Sequence, residues 1–147
     1  LQGDEPLIKP ESIDEVAKNV KFDDTADIST LIRKITPEEA ENPNLVKCIV
    51  DCNGFAMYFS RSKIPFERNI GKADFYGHLG IYGYKRDALI KMTELPQSTY
   101  EQAESLEQLR ALQNGMKIKT SVVDFVPVGI DTAEDLEHFK AIVAKSV

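Results

Sequence analysis

A chain of 147 residues can bury one substantial core and makes one domain, or one large part of a domain. Its net charge of −6 argues against a basic nucleic-acid surface. No apolar run approaches membrane-spanning length, and the two cysteines, Cys48 and Cys52, have no further Cys or His at metal spacing. On a strand they would share a face too far apart for comfortable bridging, so they read as free thiols of a reducing, cytoplasmic compartment.

Gln2-Gly3-Asp4-Glu5-Pro6 opens the chain as a turn that crowds two carboxylates together, and Pro6 then blocks further ladder hydrogen bonding. In an open α/β sheet such a turn, following a strand, suits a cation or a phosphate-bound metal. The alternative is a pair of ordinary turn acids ahead of a helix. The strand before the turn is not in this sequence, so the expectation is a chain that starts inside a site whose first half lies elsewhere.

Lys9 to Val20 reads as a helix, with Ile13, Val16, Ala17 and Val20 on one apolar face and Pro10 in the first turn. Ala26 to Ile35 reads as a strand, with Ile28, Thr30 and Ile32 on one side. Thr36 and Glu39 form a capping box for a short helix that Asn42-Pro43-Asn44 stops. Leu45–Asp51 and Phe55–Ser60 are two β-rich runs, and Asn53-Gly54 between them is a hairpin signal. Arg61 to Asp74 carries Pro65, Gly71 and mixed charges and reads as a long loop, a feature more often functional than accidental. Tyr76 to Tyr84 is a Gly- and aromatic-rich strand. Lys85–Leu95 is helical and ends before Pro96. A capping box at Ser98 and Glu101 opens a helix expected to run to Gly115 with Leu106, Leu109 and Leu112 inward. Lys117 to Val126 is a strand, and Asp131-Thr132 begins a final helix through Lys145. Alternating strands and helices with one antiparallel hairpin define an α/β domain, with no internal repeat or linker.

Five stretches in order carry a resemblance. They are Gln2-Gly3-Asp4-Glu5-Pro6, then Tyr58-Phe59-Ser60-Arg61 with Ile64-Pro65-Phe66-Glu67-Arg68, and His78-Leu79-Gly80-Ile81-Tyr82-Gly83-Tyr84. Glu104-Ser105-Leu106-Glu107-Gln108-Leu109-Arg110 and Gly129-Ile130-Asp131-Thr132-Ala133-Glu134-Asp135-Leu136 follow. Each alone is weak. Together they resemble the 3-deoxy-manno-octulosonate cytidylyltransferases, the CMP-Kdo synthetases of Gram-negative bacteria, over the whole chain. The resemblance implies part of an open, mostly parallel, Rossmann-like three-layer sheet of the nucleotide-sugar-transferase type. Residues 1–147 would be one domain, the C-terminal portion of a cytidylyltransferase domain. The family's N-terminal phosphate-binding loop has no counterpart in this sequence, and the loop between Arg68 and His78 is shorter than in many members.

What the resemblance implies about chemistry is transfer of CMP from CTP to the anomeric hydroxyl of Kdo, releasing pyrophosphate, mostly by positioning and charge stabilisation. Asp4 and Asp131 match the family's two magnesium ligands, carboxylates of the kind a hard ion prefers. On its own, Asp131 also reads as a helix N-cap beside Thr132. Arg68 matches a sugar-site arginine suited to a planar carboxylate; otherwise it is a solvated loop residue. His78 and Tyr82, four apart on a strand, match residues on the substrate side; a core histidine and a packed tyrosine are the alternative. Glu107 and Gln108 match a pair that hydrogen-bonds sugar hydroxyls; otherwise they form an exposed helix face. Gln2 would lie near the ribose or sugar. His138, beside the last helix's inward stripe, receives no catalytic role. The family forms homodimers, with the Leu45–Ser60 hairpin and Tyr100–Gln113 as candidate contact surfaces.

A cytidylyltransferase for another acidic or amino sugar, and a non-catalytic interaction module, are the competing readings. No stretch combines a Gly-rich turn with Lys or Arg at a helix start, the usual cradle for phosphates. The chain by itself is therefore expected to be inactive and marginally stable.

Overall fold

The computed structural model describes residues 8–125, together with Glu137 and Lys140. The elements follow in order: α1 (Pro10–Phe22), β1 (Ile28–Ile35), a 3-10 turn (Glu39–Glu41), β2 (Lys47–Val50), β3 (Ala56–Ser60), β4 (Phe75–Tyr84), α2 (Arg86–Glu94), α3 (Thr99–Glu104), α4 (Gln108–Gln113) and β5 (Ile118–Val122). The expected final helix lies outside the described residues apart from Glu137 and Lys140, which are helical and paired at 2.7 Å.

The strands form an open five-stranded sheet in the order β3-β2-β4-β1-β5. The α/β class and the three layers match expectation. The resemblance implied a mostly parallel sheet for the whole domain, yet in the described portion only β1 and β5 run parallel. The β1–β4, β2–β3 and β2–β4 pairs are antiparallel. The chain reaches β4 through the hairpin and a loop, without the helical crossover that parallel neighbours need.

Helices cover both faces. Val16 of α1 packs with Leu31, Leu79 and Ile81 on one side. Ala88 and Met92 of α2, with Leu106 and Leu109, pack with Ile28, Ile32, Phe59 and Ile118 on the other. This double cover explains why the alternation in β1 is only partial: its first five residues are all buried.

Two elements differ from the sequence expectation. The buried face of α1 runs through Ser12, Val16 and the half-buried Asn19 and Val20, while Ile13 and Ala17 face out. Polar contacts set that rotation: Ser29 Oγ donates to the Val16 carbonyl at 2.6 Å, and Asn19 Nδ2 donates to Ser121 Oγ at 2.9 Å. The segment after Ser98 is not one helix. Its capping box forms as expected, but Ser105 adopts a left-handed conformation (φ 53°, ψ 49°) and divides α3 from α4.

The hairpin turn is held by Asp51, whose carboxylate accepts from the Asn53 and Phe55 amides at 2.8 Å each, and Gly54 takes the positive φ that the turn requires. The tip then reaches across to the opposite edge of the sheet. Phe55 bridges Lys119, and the Thr120 amide donates to the Gly54 carbonyl at 2.8 Å. Cys48 is buried in β2 and Cys52 is exposed in the turn, both as free thiols, so they do not share a strand face.

Close approach of α1 to β4 depends on Gly83. A Cβ there would stand 2.7 Å from Val16 Cγ1 and 2.9 Å from Ser29 Oγ. Gly83→Ala should therefore cost about 1–3 kcal/mol by overpacking and by displacing the Ser29–Val16 hydrogen bond. Urea denaturation checks this, and a loss below about 0.5 kcal/mol, the ordinary surface range, would show that α1 shifts freely.

Candidate active site

β4 supplies the centre of the site. A register irregularity lies between Thr30 and Leu31: Thr30 pairs with Tyr82 and Leu31 with Leu79, so Gly80 and Ile81 are extra residues in β4. His78 pairs with Ile32 and Tyr82 with Thr30, which keeps both on the face of β1 that carries Ile32 and Thr30. The rings form a row. Phe59 meets His78 edge-on at 5.0 Å between centroids, His78 lies 5.4 Å from Tyr82, and Tyr82 lies 6.0 Å from Tyr84. Phe59 and the two tyrosines belong to the same core cluster as α2 and α4, so the row faces those helices.

Thr30 fixes the chemistry of His78. Its Oγ1 lies 2.9 Å from His78 Nε2, 2.8 Å from the Ile81 carbonyl and 3.1 Å from the Leu79 carbonyl. Carbonyls only accept, so the single hydroxyl proton goes to them, and the hydroxyl oxygen accepts from His78 Nε2–H. The ring is thereby the Nε2–H tautomer, with Nδ1 left as an acceptor. Burial pushes the His78 pKa down to about 4, so the ring is neutral at pH 7. Burial raises the Tyr82 phenol well above its ordinary range, with further increments from Tyr84 and Glu107, so it remains a protonated donor.

α4 brings the second pair. Glu107 occupies its N-cap position and Gln108 its first turn. Glu107 is exposed and near enough to raise the pKa of both Tyr82 and Tyr84; Gln108 is buried. Among the described residues, no protein hydrogen bond satisfies the Gln108 side chain. Its amide is not stranded, since among the described residues Arg33 Nε is the one buried side-chain nitrogen or oxygen without a partner. Four of the expected residues, His78, Tyr82, Glu107 and Gln108, thus converge on one side of the sheet.

Arg68 stands apart from them. It is exposed on the loop between β3 and β4, lining a shallow depression with Pro65, Asn69 and Lys72. The loop is braced by Glu67, whose carboxylate accepts from the Lys72 and Ala73 amides at 2.9 and 3.0 Å. Gln2, Asp4, Asp131 and His138 lie outside the described residues. Within the described residues no group of three or more His, Cys, Asp or Glu side chains forms a metal cluster.

Sequence reasoning missed Thr30 as a partner of His78, although a polar residue between Ile28 and Ile32 on one strand face was its signal. Arg61, Glu104 and Arg110 stood in recognised motifs without a role. Each now has a structural one: Glu104 accepts from Ser60 Oγ at 2.6 Å and from the Arg61 amide at 2.9 Å, and Arg110 pairs with Glu101.

An open sheet covered by helices on both faces, with a row of His and Tyr rings at its centre, is the architecture of a nucleotidyltransferase-type α/β domain. Residues 1–118 match the family model described as cytidylyltransferase, and the chain belongs to that family. It is 45% identical to the 3-deoxy-manno-octulosonate cytidylyltransferase of Pelodictyon phaeoclathratiforme, over 100% of this chain and 61% of that protein. It is 50% identical to the enzyme of the same name from Thermodesulfovibrio yellowstonii, over 93% of this chain and 56% of that one. The solved structure of a CMP:2-keto-3-deoxy-manno-octonic acid synthetase complexed with CTP superposes with a TM-score of 0.96 at 42% identity, over 100% of this chain and 61% of the other. The chain therefore spans between 56% and 61% of the length of these relatives.

Proposed function

We propose that this chain is the sugar-binding portion of a CMP-Kdo synthetase, which joins CTP and Kdo into CMP-Kdo and releases pyrophosphate, as in lipopolysaccharide synthesis. The observation that carries the reading is the convergence of His78, Tyr82, Glu107 and Gln108 in a chain this similar to a synthetase solved with CTP. The anomeric hydroxyl attacks the α-phosphorus, and the bond from that phosphorus to the bridging oxygen of pyrophosphate breaks.

The chain's own groups suit a polyhydroxylated acid. Neutral His78 offers an acceptor at Nδ1, protonated Tyr82 a donor, Glu107 an acceptor and Gln108 both. Arg68, with Lys72 beside it, supplies positive charge for a carboxylate. Gln2 completes the set near the ribose or sugar. Asp4 and Asp131 would hold magnesium, which when bound neutralises phosphate charge and lowers the pKa of the attacking hydroxyl. Within residues 8–125 no Gly-rich turn leads into a helix start that carries a cation, the usual cradle for a triphosphate: Lys9 caps α1 and Lys85 caps α2, each without such a turn before it. Lys85, at the N-cap of α2, spends its ammonium on the Asp23 and Asp24 carbonyls at 3.0 and 2.8 Å. On this reading residues 8–125 supply the sugar side of the site and not the phosphate cradle, and pyrophosphate release by the chain alone is expected to be absent. No described helix is long and apolar enough to cross a membrane. The two free thiols, Cys48 and Cys52, suit a reducing compartment such as the cytoplasm.

Homodimerisation belongs to the same reading. The hairpin residues Val46, Ile49, Phe55 and Tyr58 are half-buried within the subunit, whereas Met57 and Tyr100 are 62% and 52% exposed. Tyr58 meets Tyr100 edge-on at 6.0 Å, so the two candidate surfaces are continuous.

Pyrophosphate release from CTP and Kdo with magnesium tests the proposal in the full-length protein. Arg68→Ala should raise the Kdo KM by roughly one to two orders of magnitude while leaving the CTP KM within about twofold, as for loss of a charged hydrogen bond. Asp131→Asn should abolish the magnesium response. Wild-type turnover by Asp131→Asn, or equal loss of both substrates in Arg68→Ala, would overturn the respective assignment.

A further inference from the structure

We propose that Arg61 is a positioning residue for the sugar site. It sets the backbone of Ser105 and so aims Glu107 and Gln108. The inference rests on the reading above that this pair meets the sugar. Arg61 follows β3, far in sequence from the pair, and it reaches the break between α3 and α4. Its Nε donates to the Glu104 carbonyl at 2.8 Å and its Nη2 to the Ser105 carbonyl at 3.5 Å. Those carbonyls belong to the two peptide planes that bound Ser105. Gathering both on one guanidinium fixes the φ and ψ between them, and the conformation so fixed is left-handed, one that a serine does not favour unaided. In a continuing helix the same carbonyls would point along the axis toward amides one turn on. Two and three residues after Ser105 come Glu107 and Gln108.

The guanidinium is itself anchored. Its Nη1 donates to the Pro43 carbonyl at 3.3 Å. The backbone amide of Arg61 and the hydroxyl of Ser60 donate to the two oxygens of Glu104 at 2.9 and 2.6 Å. Below them Lys47, with no exposed surface, donates to the Asn42 carbonyl at 2.8 Å and to the carbonyl of Arg61. The end of the hairpin is therefore tied by charged hydrogen bonds to the turn that launches α4. Lysine in place of Arg61 keeps the charge but offers one ammonium where a planar fork spans several carbonyls.

The test uses the full-length protein with CTP and Kdo. Arg61→Lys should raise the Kdo KM by about tenfold with the CTP KM within about twofold, since misplacing a positioned group by ~1 Å can cost up to about a hundredfold. Adding Ser105→Gly should restore most of the loss, because glycine takes the left-handed conformation without a clamp. Glu104→Gln, which weakens the other side of the clamp, should give the same Kdo-specific change and serves if Arg61→Lys does not fold. Equal effects on both substrates, or no rescue by glycine, would overturn the proposal. Glu107→Ala separates the two levels: an unchanged Kdo KM sinks the sugar-site reading itself. A raised Kdo KM in Glu107→Ala beside a normal one in Arg61→Lys leaves that reading standing and removes only Arg61.

Discussion

Arg110→Met should lower stability by about 3–5 kcal/mol, the cost of stranding the partner of a buried ion pair. Arg110 and Glu101 have side chains only 13% and 7% exposed. The guanidinium meets the carboxylate through Nε at 2.8 Å and Nη2 at 2.5 Å, and its Nη1 donates to the Met92 carbonyl at 3.1 Å. The same carboxylate accepts from the Ser98 amide at 3.0 Å and so completes the α3 capping box. One cation therefore joins the C-terminal end of α2, the start of α3 and the body of α4. Without it, Glu101 keeps its charge in a place with little water, and the Met92 carbonyl loses a donor. Arginine holds the Glu101 pKa below the usual carboxylate range, which is the same coupling seen from the other side. Chemical denaturation of Arg110→Met measures the loss. The double variant Glu101→Leu with Arg110→Met should recover part of it, because replacing both partners removes the stranded charge, though the capping bond to Ser98 is lost with them. A single variant within about 1 kcal/mol of wild type, the range of an exposed pair, would show that water reaches the pair.

That staple also explains what the sequence could and could not disclose. The capping boxes at Thr36 and Ser98 were legible because both partners lie within four residues of each other, and both form. The hairpin was legible from Asn53-Gly54, whose positive φ at Gly54 is a local demand. The break at Ser105 was not. Its local sequence is a good helix, with Leu106 and Leu109 at helical spacing, and the force that opposes it is a guanidinium 44 residues away. The face of α1 failed for a like reason. Ser29 and Ser121 on two strands decide which side of the helix lies down, and neither is visible in a helical pattern. For the site, residue type and spacing placed His78 and Tyr82 on one strand face, while the helix-borne Glu107 and Gln108 came only through resemblance to a family. Pattern reads contacts along one element; it does not read which elements meet.

The second large effect is a pH dependence carried by His78. Its folded pKa lies at about 4 against an ordinary value of 6.5, lowered by burial. Phe59 and Tyr82 hem the ring, and Thr30 takes its one N–H. Between those values the unfolded chain binds the proton and the folded chain does not, so stability rises with pH across that window. The contribution is complete above about 6.5 and is lost as pH falls toward 4. Integrated between pH 7 and pH 5, it amounts to about 2 kcal/mol. Among the described residues the carboxylates held below their ordinary values, Asp23, Glu38, Glu39, Glu67 and Glu101, release their share mainly at lower pH, which leaves most of this interval to histidine. His78→Gln supplies a side-chain N–H for Thr30 but no titrating group. Unfolding free energies of the wild type and of this variant, measured across the interval, should therefore diverge: the wild type falls and the variant stays level. The chain's other histidine, His138, is common to both proteins and cancels in the difference. The difference also reads out the protonation state of His78 in the folded protein. Were His78 instead protonated at pH 6, it would donate from both nitrogens, the acceptor offered at Nδ1 would vanish, and the two proteins would show the same slope.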